Sequence, residues 1–164
     1  MNIGITGHQH FDDPTVLPWV RERIRKRLSS FSELHGLSSL AKGADQLFAQ
    51  IVLELGGNLE AVLPFVGYED TFEDTQDAVY FRELLAQCIT VTTLTFDSTR
   101  EQSYLFAGQH IVDHSELLIA VWDGKPAAGL GGTGDVVSYA LRGGRDIYQV
   151  NPLTRTAFHL SNAR

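Results

Sequence analysis

Short apolar runs alternate along the chain with longer segments whose apolar residues recur at helical spacing. Residues 2–6 (NIGIT), 37–41 (LSSLA), 59–63 (LEAVL), 89–96 (ITVTTLTF), 117–122 (LLIAVW) and 146–150 (DIYQV) read as strands. Helices are predicted over 15–34, 44–55, 78–87, 100–114 and 134–142. In the first of these, Val16, Val20, Ile24, Leu28 and Phe31 share one face, and Asp13-Pro14 supplies a cap and a first helical residue. Gly56-Gly57 and Gly143-Gly144 end two others. Asp97-Ser98 offers a cap for the helix at 100, and 67–77 is expected to be an ordered loop or short helix. The run LLIAVW has no alternation, the mark of a strand buried on both faces. Strand and helix alternation predicts an α/β, Rossmann-like three-layer sandwich with a mostly parallel sheet of about six strands. One domain is expected over 1–152, with 153–164 as a C-terminal tail.

Composition narrows the setting. The chain has 164 residues, 43% hydrophobic and 20% charged, which suits one globular core. Its single Cys, Cys88, cannot form an intrachain disulfide and is expected to be buried and inert. No apolar run reaches the roughly 18–20 residues needed to span a bilayer, and the first residues lack a signal-peptide pattern. A cytoplasmic setting without a membrane partner is the expectation. The net charge of −7 argues against a nucleic-acid polymer as partner. That charge is uneven, because seven acids between Glu60 and Glu83 face one base, Arg82. The outer face of the first helix carries Arg21, Arg23, Arg25, Lys26 and Arg27, either as a solvated face or as a polyanion site.

In parallel α/β sheets, ligands bind beyond the carboxyl ends of the strands, so the loops there hold the candidate chemistry. Thr6-Gly7-His8 follows the first strand and puts a hydroxyl, a bare backbone and an imidazole at one edge. Gly43 and Asp45 open the helix after the second strand; Asp45 either caps its own helix or accepts a ribose hydroxyl. Asp123-Gly124 follows the buried strand, and Gly129 to Asp135 leads into a helix. Gly131, Gly132, Thr133, Gly134 and Asp135 are the strongest signal, since glycines before a helix start can wrap backbone N–H groups around phosphate. The segment fits neither the dinucleotide fingerprint nor a P-loop in context. His110 and His114 lie one helical turn apart beside Asp113, but lack a third ligand, so no metal site is expected. Tyr104, Ala107, Gly108 and Ile111 form a helical stripe read as packing.

Ser39 to Asp45, the Gly56-Gly57 stop and Leu59 to Pro64 resemble a block of the Smf/DprA Rossmann-like domain. The Gly131-Gly132-Thr133 segment resembles the glycine loop of LOG-type proteins. Together, and with Thr6-Gly7-His8 and Asp123-Gly124, they resemble the SLOG superfamily, most of all its small stand-alone bacterial, YpsA-like members. The resemblance implies binding of a nucleotide or ADP-ribose-like ligand, with no further cofactor certain, and a homo-oligomer. For a LOG-like enzyme it implies hydrolysis of a nucleoside monophosphate at its N-glycosidic bond. Asp135, Glu69 and Arg82 are the candidates for that chemistry, although Val136 stands where the family has Glu. Apolar side chains near Phe65 are expected to flank a base.

Overall fold

The computed structural model describes residues 1–160. Among these, β1 (Asn2–Gly7), β2 (His35–Ser38), β3 (Asn58–Leu63), β4 (Thr90–Thr93), β5 (Leu117–Val121), β6 (Asp146–Asn151) and β7 (Thr156–Leu160) form one sheet in the order β4-β3-β2-β1-β5-β6-β7. Every neighbouring pair is parallel except β6 and β7. The helices are α1 (Leu17–Leu28), α2 (Ala44–Glu54), α3 (Thr75–Leu85), α4 (Arg100–Asp113) and α5 (Thr133–Arg142). Ile3, Ile5 and Ile119 join side chains of α1, α2 and α3 in one core, while Leu118, Ala120 and Ile147 join those of α4 and α5 in the other. These are the three layers the alternation predicts, a Rossmann-like α/β sandwich. Every residue of β5 is buried, as its unbroken apolar run requires.

Small residues set how closely the layers meet. A Cβ on Gly4 would lie 2.5 Å from the side chains of Ile111 and Ser115, so α4 rests on β1 only over a glycine. Gly108 does the same between helices, where a Cβ would meet Val136 at 2.5 Å.

Several boundaries differ from the periodic pattern, each for a local reason. α1 stops at Leu28, because the Ser29 and Ser30 hydroxyls donate back to the carbonyls of Lys26 (3.1 Å) and Arg27 (2.8 Å). α3 starts at Thr75, because the Asp74 carboxylate accepts the Gln76 N–H at 2.7 Å. Thr99, not Asp97 or Ser98, caps α4 in a reciprocal pair with Gln102. β2 ends at Ser38, and Leu40 takes a left-handed φ of 55°.

The largest difference lies beyond Pro152. Part of the expected tail, Thr156–Leu160, is the seventh strand, antiparallel on β6. It is a half-exposed edge strand, so it lacks the apolar run that marks a buried one. Its turn is built by Asn151, whose Oδ1 accepts the N–H groups of Leu153 (3.0 Å) and Thr154 (3.1 Å), and by Arg155 at φ 54°. The last four residues of that tail lie outside the described residues. Among the described residues, no helix is long and apolar enough to cross a membrane.

The chain leaves β1 toward β2, β3 and β4 on one side, and β5, β6 and β7 build the other. The strand order therefore reverses between β1 and β5, where such folds open a crevice at the carboxyl edge.

Candidate functional site

A cleft of about 560 Å³ opens at that reversal. Thr6, Gly7 and His8 form its floor at the end of β1, and Trp122 and Asp123 its wall at the end of β5. The His8 N–H donates to the Val121 carbonyl at 3.1 Å, and the Asp123 N–H donates to His8 Nε2 at 3.2 Å. The same Nε2 also lies 3.4 Å from the Asp123 carboxylate, which ties the ends of β1 and β5 together. Thr6 is only 8% exposed, lines the cleft, and its hydroxyl has no partner among the described residues.

The glycine-rich loop is held by its own backbone. The Asp135 carboxylate accepts the Gly131 N–H at 3.0 Å, and the Gly132 N–H donates to the Gly129 carbonyl at 3.1 Å. Gly131 has φ 82°, and a Cβ there would stand 2.8 Å from both the Glu101 carbonyl oxygen and the Leu105 nitrogen of α4. Only glycine fits that conformation in that space. Of the backbone phosphate donors expected at Gly7 and at Gly131 to Gly134, those of Gly131 and Gly132 are therefore spent inside the loop. The N–H groups of Thr133 and Gly134 and the Thr133 hydroxyl have no partner among the described residues, and both residues line the cleft. Gly132 gives α5 no side-chain cap. The start of α5 thus offers open donors and the positive end of its dipole.

Asp45 does not cap its own helix, since α2 has no side-chain cap. Its Oδ2 accepts the Ser38 hydroxyl (3.2 Å) and the Ser39 N–H (3.1 Å), closing the β2–α2 turn. It is 7% exposed at the margin of the cleft, and burial pushes its pKa up to about 7 against the pull of those donors. These bonds brace the β2–α2 turn with Asp45 still at the cleft lining. Gly43, at φ 87°, lines a separate hollow between α1 and α2. A Cβ there would meet the carbonyl oxygens of His8 and Gln9 at 2.6 Å, so Gly43 lets the two loops touch. Gly124, also at φ 87°, makes the turn after Asp123 and is not part of the cleft lining.

The three catalytic candidates do not converge. Arg82 pairs with Glu69 on the surface, and neither lines the cleft. The cause is the 3-10 turn Tyr68–Thr71, which buries Tyr68 and turns Glu69 outward. Asp135 is engaged with Gly131 and faces the loop, not the cavity. Other members of the acidic window are also engaged: Lys42 pairs with Asp77 at 2.8 Å, and Glu60 faces His35 at 3.3 Å. The His110 and His114 rings stack at 4.0 Å, while Asp113 accepts the Tyr139 hydroxyl at 3.0 and 3.1 Å. Burial and His114 lower the pKa of His110. Cys88 is half-buried, and burial pushes its thiol up to about 11, which keeps it protonated and unreactive.

The aromatic lining differs from the expectation around Phe65. Tyr68 and Tyr104 line the cleft, and Phe65 packs behind them at 5.8 Å from each ring. Tyr104, Ala107, Gly108 and Ile111, a packing stripe by their spacing, all reach the cleft wall. The small pair within that apolar stripe is the signal for this, since Gly108 lets α4 approach Val136 of α5 closely beside the cleft. Lys125 also lines the cleft, and nothing in its spacing marks it.

No protein-family model and no curated protein matches the chain. Solved structures do. DNA processing protein A (DprA) from Streptococcus pneumoniae is similar with a TM-score of 0.65 at 18% identity, over 90% of this chain and 49% of that one. The chain thus spans about half the length of that protein. DNA processing protein A from Helicobacter pylori gives 0.61 at 15% identity, over 91% and 64%. The molybdenum cofactor binding protein from Rippkaea orientalis gives 0.56 at 17% identity, over 92% and 76%. The Helicobacter pylori structure is described by its single-stranded DNA binding mode. This overturns the exclusion of a nucleic-acid polymer from net charge. Net charge averages over a surface on which the acids gather in 60–83 while the outer face of α1 is basic, with Arg21 and Arg25 sharing one Glu54. In architecture the chain shares the Rossmann-like fold of these proteins.

Proposed function

We propose that the chain binds a nucleotide or nucleotide-derived metabolite in the cleft between β1 and β5. The observation that carries this is the uncapped start of α5, whose Thr133 and Gly134 N–H groups border a cavity at the reversal of strand order. Backbone donors at a helix start favour an anion without requiring a basic surface. Tyr68 and Tyr104 supply flat apolar surface for a base, and Asp123, on the opposite wall, supplies an acceptor for ribose hydroxyls. Binding without hydrolysis is the reading we adopt over a nucleoside-monophosphate N-glycosidase. The carboxylates named for that chemistry are engaged elsewhere, Asp135 by Gly131 and Glu69 by Arg82.

The test is calorimetric titration with AMP, other nucleoside monophosphates, NAD, ADP-ribose and a single-stranded oligonucleotide, with chromatography for free base. Saturable binding of a nucleotide without base release is expected. Thr133→Ala should weaken phosphate-bearing ligands roughly fivefold, the worth of one hydrogen bond of about 1 kcal/mol. Failure of every nucleotide to bind at millimolar concentration would sink the proposal, and base release would replace it with the enzymatic one.

A further inference from the structure

A hollow of about 580 Å³ lies between α1 and α2, and it shares a single residue, Gln9, with the β1–β5 cleft. Phe11 and Pro14 reach it from the segment after β1, Leu17 and Pro18 from the start of α1, Leu47 from α2 and Tyr80 from α3. The two prolines fix φ in their segments, and the Asp13 carboxylate accepts the Thr15 N–H at 3.0 Å, so this wall is built before any ligand arrives. Gly43 also lines the hollow, where its missing Cβ lets the loop at His8 and Gln9 touch the start of α2.

The arginine and the lysine that line it are already paired. Glu54 holds Arg21 at 2.6 Å, and Asp77 holds Lys42 at 2.8 Å. Two amides are not fully paired. Gln46 and Gln50 stand one helical turn apart on α2, and both line the hollow. Gln46 is 5% exposed; its Nε2 donates to the Leu40 carbonyl at 3.2 Å, and its Oε1 has no partner among the described residues. Gln50 is the reverse. Its Oε1 accepts the Tyr80 hydroxyl at 3.1 Å and an Arg21 N–H at 3.4 Å, and its Nε2 has no partner among the described residues. A largely buried amide oxygen without a donor costs free energy that a bound donor recovers. Among apolar walls the hollow therefore presents one open acceptor and one open donor.

We propose that this hollow binds a small neutral molecule, an apolar ring body that carries both a hydrogen-bond donor and an acceptor, as an aromatic amide does. The donor meets Gln46 Oε1, the acceptor meets the Gln50 amide, and the ring lies among Phe11, Leu17, Leu47 and the prolines. An anion of the same shape is disfavoured, because its carboxylate would give up water for a lining whose cations are taken. The site stands apart from the nucleotide cleft and does not depend on what binds there.

Titration of the isotope-labelled full chain with indole-3-acetamide and with indole-3-acetate tests this, read by two-dimensional NMR of backbone and side-chain amides. Indole-3-acetamide should saturate at or below millimolar concentration and shift the side-chain amide signals of Gln46 and Gln50. Indole-3-acetate should bind at least about tenfold more weakly. Leu17 is 36% exposed, so Leu17→Trp fills the hollow from its rim without disturbing the core, and it should weaken the amide at least about fivefold. Gln46→Leu removes the open acceptor and should weaken it about fivefold. The absence of saturable shifts at millimolar concentration overturns the proposal. So do shifts confined to Thr133, Gly134 and their neighbours, which would seat the probe in the cleft. Equal or tighter binding of the acetate overturns the neutral ligand class, and unchanged affinity in Leu17→Trp overturns the location.

Discussion

Replacing Asp45 by Asn isolates the titration of one buried carboxyl. In the unfolded chain an aspartate releases its proton near pH 3.9. In the folded chain Asp45 holds it to about pH 7, because burial outweighs the Ser38, Ala41 and Ser39 donors. Between those values the folded state binds more protons than the unfolded one, so stability falls as pH rises. The contribution is complete below about pH 4, declines through pH 7 and is flat above it. Its full extent is at most about 4 kcal/mol. The direction is opposite to that of an ion-paired carboxylate. Asn keeps the shape but does not ionise, and the acceptor it loses toward Ser38 or Ser39 adds an offset that does not change with pH. Urea unfolding of both proteins from pH 4.5 to 8.5 separates slope from offset, with every other group cancelling in the difference. Across that range the difference should move in favour of the Asp45→Asn variant by on the order of 2–4 kcal/mol. Two parallel curves would show that Asp45 is ionised in the fold at neutral pH, and the burial argument would be wrong.

Two further substitutions test how the cleft is built. Gly131→Ala puts a Cβ 2.8 Å from backbone atoms of α4 at a φ of 82° and should cost at least about 2 kcal/mol in thermal or urea unfolding. Retention of full stability would mean that the loop does not pack on α4 as described. Thr99→Ala removes the hydroxyl that accepts the Gln102 N–H at 3.2 Å and should cost about 1 kcal/mol, read by the same unfolding curves. An unchanged midpoint would remove the capping box from the account of where α4 begins.

Strand and helix order was legible because burial leaves a periodic trace. β5 is buried along its whole length and carries five apolar residues in a row. α2 buries one face and shows it at helical spacing. β7 leaves no such trace, because an edge strand with Phe158 half-exposed has no apolar face to display. The glycine loop was legible as a place but not as a set of donors. Composition marks Gly129 to Gly134, yet only coordinates distinguish the Gly131 and Gly132 N–H groups, used within the loop, from those of Thr133 and Gly134. Asp135 and Glu69 illustrate the same gap for side chains. Each is a carboxylate near the right loop, and each is held by a partner that spacing alone does not reveal, Gly131 four residues back and Arg82 on α3.

The residues that wall the cleft are thus the ones with the weakest sequence signature. The floor at Thr6 to His8 and the start of α5 follow from the topology, since any chain with this strand order brings the end of β1 beside the end of β5. The walls do not follow from topology. Tyr104 reaches the cleft because Gly108 and Gly4 let α4 lie close to its neighbours, and a Cβ at either would meet a side chain at 2.5 Å. Arg155 reaches a smaller hollow beside the cleft because Asn151 turns the chain back after β6. A fold of this kind fixes where an anion can sit through backbone groups that every sequence carries. What is attached to that anion is selected by side chains on turns and close-packed helices, where no periodic pattern announces them.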